Sequence, residues 1–348
     1  MAQTGSLAGS TSSRAAVPGS VGFDWIMVLL SLWIVLGAHV DAWAHINFPQ
    51  LETFFTPWHA LLYSGLAAMA LFIGGTAVRN HGAGYSWERS LPDGYWLSLV
   101  GVVVFGASGV GDLIWHAIFG IEANLDALIS PTHLLLATGA ALIVSGPMRA
   151  TRSRTGGRWM DQAPMVLSLT MVIALLAYMT QFAHPFGFVW AISSARPMSG
   201  LDPFPAQAVG LLGVMLQAAI WMGPILLTVR RRTLPVGSLT LVFGLTAVLM
   251  AFTRAKVLVT GPYLLIGVAI LAGASADLLY GLLRPAQDRP AAFRAFAFVV
   301  PIVLYTLYFV ALVVTRDVWW SVHLINGTIL LAGFVGLLLS YLVLPSGP

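Results

Sequence analysis

Residues 41–65 read DAWAHINFPQLETFFTPWHALLYSG. An apolar run ends here with Asp41 and His45, a short loop containing Glu52 follows, and a second apolar run begins just before His59. Two apolar runs joined by so short a loop predict a pair of membrane helices that turn back at one face of the bilayer. Ionisable residues are rare at membrane depth and usually serve a function, so this helix–loop–helix unit indicates a site.

The chain repeats this arrangement once. Residues 112–139 read DLIWHAIFGIEANLDALISPTHLLLATG and place Asp112, His116, Glu122 and His133 in the same order. The aspartate and the two histidines follow their counterparts by 71 to 74 residues. Both copies have the same orientation, which predicts a parallel internal repeat of two helix hairpins. We therefore expect the first four spans to form a pseudo-symmetric core.

The composition is that of an integral membrane protein. Of the 348 residues, 58% are hydrophobic and 9% charged, with a mean hydropathy of +0.86, whereas soluble domains carry roughly 25% charged residues. The isoelectric point near 9.6 does not indicate a nucleic-acid partner, because the arginines are scattered over short loops between apolar runs. The chain has no cysteine, which excludes disulfides, thiolate metal sites, iron–sulfur clusters and cysteine nucleophiles.

The apolar runs predict an all-α fold, a polytopic membrane bundle of about ten transmembrane helices that contacts the lipid bilayer. Residues 1–22 are expected to be a disordered tail, residues 23–148 the repeat core that carries the site, and residues 149–348 six further helices. The ten spans are expected at residues 23–45, 57–78, 94–118, 131–148, 163–184, 207–229, 236–253, 257–282, 292–315 and 322–344.

The basic residues predict the topology. Twelve arginines lie in loops after even-numbered spans, against four basic residues in loops after odd-numbered spans. The positive-inside rule then predicts cytoplasmic termini and extracytoplasmic motif loops, which we expect in a bacterial inner membrane. Arg254 and Lys256 depart from this pattern. Either the seventh and eighth spans form a different hairpin, or these cations have a function of their own. One of them could also form a structural ion pair with Asp277, which lies inside the eighth span.

The spacing of the repeated residues suits metal binding. In Asp-x3-His the two side chains lie one turn apart on the same helix face. A proline at a helix start, Pro57 or Pro131, fixes that start and leaves His59 or His133 in the first turn. Two histidines and one carboxylate are ligands expected for copper(II), zinc or non-haem iron. The alternative is a proton relay or a polar substrate pocket built from the same groups.

Other polar residues near the motifs have two interpretations. Glu52, Glu122 and Asp126 lie in the connecting loops. They either bridge the metals and orient the histidines or are solvated loop residues. His39 lies two residues before Asp41 and thus on another helix face. It is expected to pack against the site or support it, and not to be a ligand.

The motif resembles one family, the copper membrane monooxygenases, in the C subunit of particulate methane monooxygenase and ammonia monooxygenase. In that subunit a helix end with Asp-x3-His is followed by acidic-Thr-x-Phe-Thr-Pro-x-His, and residues 52–59 here read ETFFTPWH. A downstream set of Asn, His and Pro-x-His follows, with Asp112 here in place of Asn. The resemblance covers roughly residues 40–140. It implies neighbouring intramembrane copper sites at two sets of residues, Asp41, His45 and His59, and Asp112, His116 and His133.

The resemblance implies a copper-dependent monooxygenase component that acts on a small apolar substrate such as a hydrocarbon, or on ammonia. Partner subunits or an electron donor are also implied, because no haem, flavin or nicotinamide motif is visible and nothing in the chain resembles the family's soluble copper domain. Two other functions fit the same ligands. A zinc-dependent intramembrane hydrolase would activate a bound water, and a metal transporter or chaperone would line a path with such groups.

Overall fold

A computed structural model describes residues 17–48, 54–120, 125–150, 158–254 and 263–345. These residues form a helical bundle that contains no strand, only two isolated β-bridges. Eight of its helices are long and apolar enough to cross a membrane, which confirms the predicted class of helical membrane protein. Two more apolar helices, Pro131–Val144 and Ser238–Arg254, have only 14 and 17 residues. Ten spans therefore remain a prediction.

The helices follow the predicted runs in order. They are α1 (Val21–Asn47), α2 (Pro57–Gly82), α3 (Trp96–Phe119), α4 (Asp126–Ile129), α5 (Pro131–Val144), α6 (Gly146–Ala150), α7 (Trp159–Met179), α8 (Phe204–Val229), α9 (Ser238–Arg254), α10 (Tyr263–Leu283), α11 (Pro290–Thr315) and α12 (Val322–Val343).

The helices that carry the Pro-x-His motifs begin where the sequence indicates. Helix α2 starts at Pro57, and the Thr56 hydroxyl accepts a hydrogen bond from the His59 amide at 3.1 Å. Helix α5 starts at Pro131, with the Ser130 hydroxyl as the matching cap. Proline suits the first helical position because that amide has no intrahelical acceptor, and a capping hydroxyl satisfies another free amide.

Two predicted spans end early, for identifiable reasons. The span predicted at 131–148 breaks at Ser145, whose hydroxyl donates back to the Ala141 carbonyl, and Pro147 cannot continue the helical hydrogen bonds. The span predicted at 163–184 ends at Met179, six residues before Pro185. Pro185 disfavours helix at His184, the residue directly before it, and a 3₁₀ turn at Gln181–Ala183 separates that residue from α7.

The packing brings the motif-bearing helices together. Helix α1 packs on α2 and α3 on α5, and one cluster of buried side chains lies mainly among these four helices. A larger cluster lies among α7 to α12. The α3–α5 contact depends on glycine, because a Cβ on Gly139 would stand 2.7 Å from the Phe105 amide nitrogen. Small residues allow such close approach between membrane helices.

Candidate metal centre

The first Asp-x3-His and Pro-x-His motifs meet in space. Asp41 and His45 lie one turn apart near the end of α1, and His59 lies in the first turn of α2. The Asp41 carboxylate is 3.7 Å from His45 Nε2 through Oδ2 and 3.4 Å from His59 Nε2 through Oδ1. We call these three residues the first group.

The second motifs form the same arrangement on α3 and α5. Asp112 Oδ2 is 3.4 Å from His116 Nε2, and Oδ1 is 3.5 Å from His133 Nε2. Asp112 Oδ1 also accepts a hydrogen bond from the Thr132 hydroxyl at 2.7 Å. We call Asp112, His116 and His133 the second group. In each group one ligand atom per residue lies within 4.8 Å of the others.

The outer ring nitrogens fix the tautomers of two histidines. Nδ1 of His59 is 2.5 Å from the Phe54 carbonyl, and Nδ1 of His116 is 3.2 Å from the Gly120 carbonyl. A carbonyl only accepts hydrogen bonds, so Nδ1 carries the proton in both rings. In the neutral ring Nε2 then presents a lone pair, and a carboxylate oxygen stands 3.4 Å from it in each group. Two acceptors so placed require a cation or a second proton between them.

The donor atoms fit a metal ion. Zinc and similar ions bind imidazole nitrogen and carboxylate oxygen at about 2.0–2.1 Å, which places tetrahedral ligands roughly 3.3 Å apart. The observed carboxylate–imidazole separations of 3.4 to 3.7 Å are close to that value. Asp41 Oδ1 is buried and accepts no hydrogen bond from the described residues. A bound cation would satisfy this carboxylate oxygen.

Both groups face one cavity of about 910 Å³. All six acidic and histidine side chains line it, together with Phe105 of α3 and aliphatic residues of α1, α2, α4, α5 and α7. We call it the shared cavity. The first group is the more accessible one at its α1 end, since the His45 side chain is 36% exposed and that of Asp112 is 2% exposed.

Aromatic rings connect the two groups. The Phe54 ring centre lies 4.9 Å from that of His59 and 6.1 Å from that of His116. Tyr63 lines the shared cavity and contacts both Phe54 and Phe105. The two groups are therefore neighbours across one aromatic contact.

Of the other predicted residues, Asp126 and His39 lie within the described part of the chain. Glu52 and Glu122 lie outside the described residues. Asp126 is exposed in α4 and belongs to neither group. His39 is buried, and its Nδ1 pairs with the Thr253 hydroxyl at 2.5 Å, as a supporting residue would. His184, in the turn after α7, accepts a hydrogen bond from the Phe186 amide, and burial lowers its pKa to about 3.

The possible ion pair of Asp277 with Arg254 does not form. Asp277 accepts hydrogen bonds from the amides of Leu239 and Thr240 at 3.1 and 2.8 Å, at the opposite end of α9. A carboxylate there satisfies free amides and complements the helix dipole. Lys256 lies outside the described residues.

Sequence reasoning missed several cavity residues. Tyr63 follows His59 by four residues, a spacing that places both on one face of α2 and could have identified it. No local signal identifies Tyr178 or Gln181, which reach the shared cavity from α7 and the turn after it.

No family model, curated protein or solved structure matches this chain.

Proposed function

We propose that this membrane protein binds copper at both groups and acts as a monooxygenase component. The observation that carries the proposal is that two Asp-His-His groups face one cavity whose walls are mostly apolar. An oxygenase needs this combination, because an apolar cavity admits an organic substrate and excludes water from the reacting groups. The resemblance of residues 41–59 to the copper membrane monooxygenases supports the choice of copper.

The ligands are Asp41, His45 and His59 in the first group and Asp112, His116 and His133 in the second. Bound copper would supply the redox chemistry that dioxygen activation requires. Three protein ligands leave coordination positions for a further molecule, as is usual in catalytic metal sites. The hydrogen bonds to the outer nitrogens of His59 and His116 orient these rings and hold their proton away from the carboxylate.

A monooxygenase transfers one oxygen atom of dioxygen to its substrate and reduces the other to water, which consumes two electrons and two protons. We propose that a partner subunit or a membrane reductant of the quinol class supplies the electrons. We also propose ten spans, with α5 and α9 as short ones, and a parallel repeat in which each hairpin carries one group. The cytoplasmic termini and the extracytoplasmic groups, in a bacterial inner membrane, follow from the distribution of arginine.

A zinc hydrolase and a metal transporter, the two other candidate functions, require different residues or metals. A zinc hydrolase would use the same ligands, so the identity of the bound metal separates it from an oxygenase. A transporter would need ionisable groups along a second part of its path. Asp277, the ionisable residue inside the predicted eighth span, caps α9 instead of lining such a path.

Metal analysis tests the proposal. We would purify the protein in detergent, reconstitute it with copper, and measure metals by elemental analysis in wild type, His59→Ala, His133→Ala and the double variant. We expect two copper ions per wild-type chain, one in each single variant and none in the double variant. His81→Ala is the matched control, because His81 is an exposed histidine of α2 outside both groups.

Oxygen consumption with a quinol and a hydrocarbon, together with the hydroxylated product, would test the oxygenase activity. Stoichiometric zinc in preference to copper would favour the hydrolase. Absence of metal after reconstitution would contradict the proposal. If the protein binds copper but shows neither oxygen uptake nor hydroxylated product, the proposed oxygenase activity would be contradicted while the metal sites would stand.

A further inference from the structure

Arg254 is a cation of the shared cavity that the metal chemistry does not use. It is the last residue of α9, and its side chain lines the cavity that both groups face. Its guanidinium carbon lies 4.2 Å above the Phe188 ring. Gly187 leaves room for its stem, because a Cβ there would stand 3.2 Å from Arg254 Cγ. The turn after α7 therefore holds this arginine in place against the cavity.

No described acidic side chain neutralises Arg254. Its Nε is buried and makes no hydrogen bond to the described residues, and no described carboxylate lies within ion-pair distance of its guanidinium. The nearest sequence candidate, Asp277, is committed to the other end of α9. A partly buried cation without a counter-charge among the described residues is costly, and such a residue is a candidate for binding a ligand.

The charge of the cavity indicates the kind of ligand. Among the described residues that line it, the acidic ones are Asp41 and Asp112. If each group holds a divalent ion, as the proposed function requires, one carboxylate and two neutral histidines leave each group with one net positive charge. Arg254 adds a third positive charge. The metal-loaded cavity would then attract an anion and repel ammonium.

The size and walls of the cavity indicate the rest of the ligand. A volume of about 910 Å³ is typical of sites for organic molecules of drug size and far exceeds what methane or ammonia needs. Aliphatic residues such as Leu62, Leu136 and Leu175 line it, whereas Tyr178 and Gln181 add polar groups. An apolar chain with one polar end matches this distribution.

We infer that the shared cavity binds a single-chain amphiphile with a carboxylate head, and that Arg254 recognises the carboxylate. The guanidinium offers a planar fork of donors that matches a carboxylate. The chain lies along the aliphatic walls beside the two groups. This inference rests on the proposed function for its charge argument and adds an anionic amphiphile, beside the small apolar substrate, to the ligands of the shared cavity.

Binding of radiolabelled decanoate tests the inference. Copper-loaded protein would be placed in nanodiscs of phosphatidylcholine, and binding compared among wild type, Arg254→Gln, Arg254→Lys and Arg316→Gln. Arg316 is exposed after α11 and does not line the cavity, so its variant controls for the loss of charge and for partition into lipid. Copper content is measured on every sample, so that loss of the metal is distinguished from loss of the ligand.

We expect Arg254→Gln to weaken decanoate binding about 10- to 100-fold, because hydrogen bonds between a guanidinium and a carboxylate typically change the affinity by such a factor. Arg254→Lys should recover part of the affinity, and Arg316→Gln should match wild type. Decanol should compete poorly with decanoate for wild type and equally for Arg254→Gln. Copper should remain at the wild-type level in all four proteins.

Three results would overturn the inference while copper remains bound. Equal decanoate affinity in wild type and Arg254→Gln would show that the carboxylate binds without Arg254. Equal competition by decanol would show that the head charge is not recognised. If phosphatidylglycerol displaced radiolabelled decanoate as effectively as unlabelled decanoate does, the anion site would be assigned to a phospholipid. Protein that takes up no copper would instead contradict the proposed function.

Discussion

The two groups have the same three ligands but different support. In the second group Asp112 is 2% exposed and held by the Thr132 hydroxyl, so both of its oxygens have a fixed direction. In the first group Asp41 is 13% exposed, and its buried Oδ1 accepts no hydrogen bond from the described residues. Outer hydrogen bonds orient metal ligands and raise affinity. The comparison indicates a preorganised second group and a more adaptable first group.

The largest difference should appear when the carboxylates are removed. Asp112→Ala and Asp41→Ala should each lose one metal ion. Metal affinity at the altered group should fall by more than the roughly 10- to 100-fold that is typical when a residue hydrogen-bonded to a metal ligand is replaced. Asp112→Ala should also lower the unfolding free energy of the metal-free protein by about 1 kcal/mol, because the buried Thr132 hydroxyl loses its acceptor at 2.7 Å and keeps the longer contact with the Ser130 hydroxyl at 3.3 Å. Asp41→Ala removes no such hydrogen bond and should change stability less. Elemental analysis and thermal unfolding in detergent measure the two effects.

Asp126→Ala is the control for this pair, because Asp126 is exposed in α4 near the second group without belonging to it. Its metal content and unfolding temperature should equal those of wild type. Equal destabilisation by Asp41→Ala and Asp112→Ala would show that the Thr132 contact does not distinguish the groups.

A smaller effect is expected from the hydrogen bond alone. Thr132→Val keeps the shape of the side chain and removes the donor to Asp112 Oδ1. It should weaken metal binding at the second group about 10- to 100-fold and leave the first group unchanged. Thr138→Val is the matched control, since Thr138 is exposed on the same helix and donates only to the Leu134 carbonyl. Metal titration of both variants in the His59→Ala background isolates the second group.

A decrease in affinity at the second group of the same size in Thr138→Val would assign the effect to the helix, not to Asp112. Unchanged affinity in Thr132→Val would mean that burial by itself orients this carboxylate.

The sequence was sufficient for the ligand order and insufficient for what surrounds it. Asp-x3-His fixes two side chains on one helix face, and Pro-x-His fixes a third at a helix start, so each hairpin could be predicted locally. The shared cavity depends on how the two hairpins pack and on α7, which no local pattern encodes. The carbonyls that orient His59 and His116 belong to the backbone, so the residue types at these positions do not predict them.

The helix bounds show the same difference between features that a local sequence pattern predicts and features that depend on tertiary packing. The start of α2 at Pro57 was readable because proline and a capping threonine act locally. The early end of α7 at Met179 moved His184 out of the predicted span and into a buried turn. Arg254 departs from the distribution of basic residues that predicts the topology, but its position in the shared cavity depends on tertiary packing.

The smallest effect should come from the helix caps. Ser130 caps α5 and also contacts His133 Nδ1 at 2.7 Å, whereas Thr56 caps α2 but His59 Nδ1 bonds the Phe54 carbonyl instead. Ser130→Ala and Thr56→Ala should each lower stability by about 1 kcal/mol. Only Ser130→Ala should also lower metal affinity, by up to roughly tenfold, because only there does the cap orient a ligand.

Thermal unfolding of the metal-free variants and metal titration separate the two roles. If Thr56→Ala weakened metal binding as much as Ser130→Ala, the position of the helix start would matter more than ring orientation. The first group would then depend on the α2 cap as closely as the second group depends on the α5 cap. The proposed contrast between an adaptable and a preorganised group would have to rest on Thr132 alone.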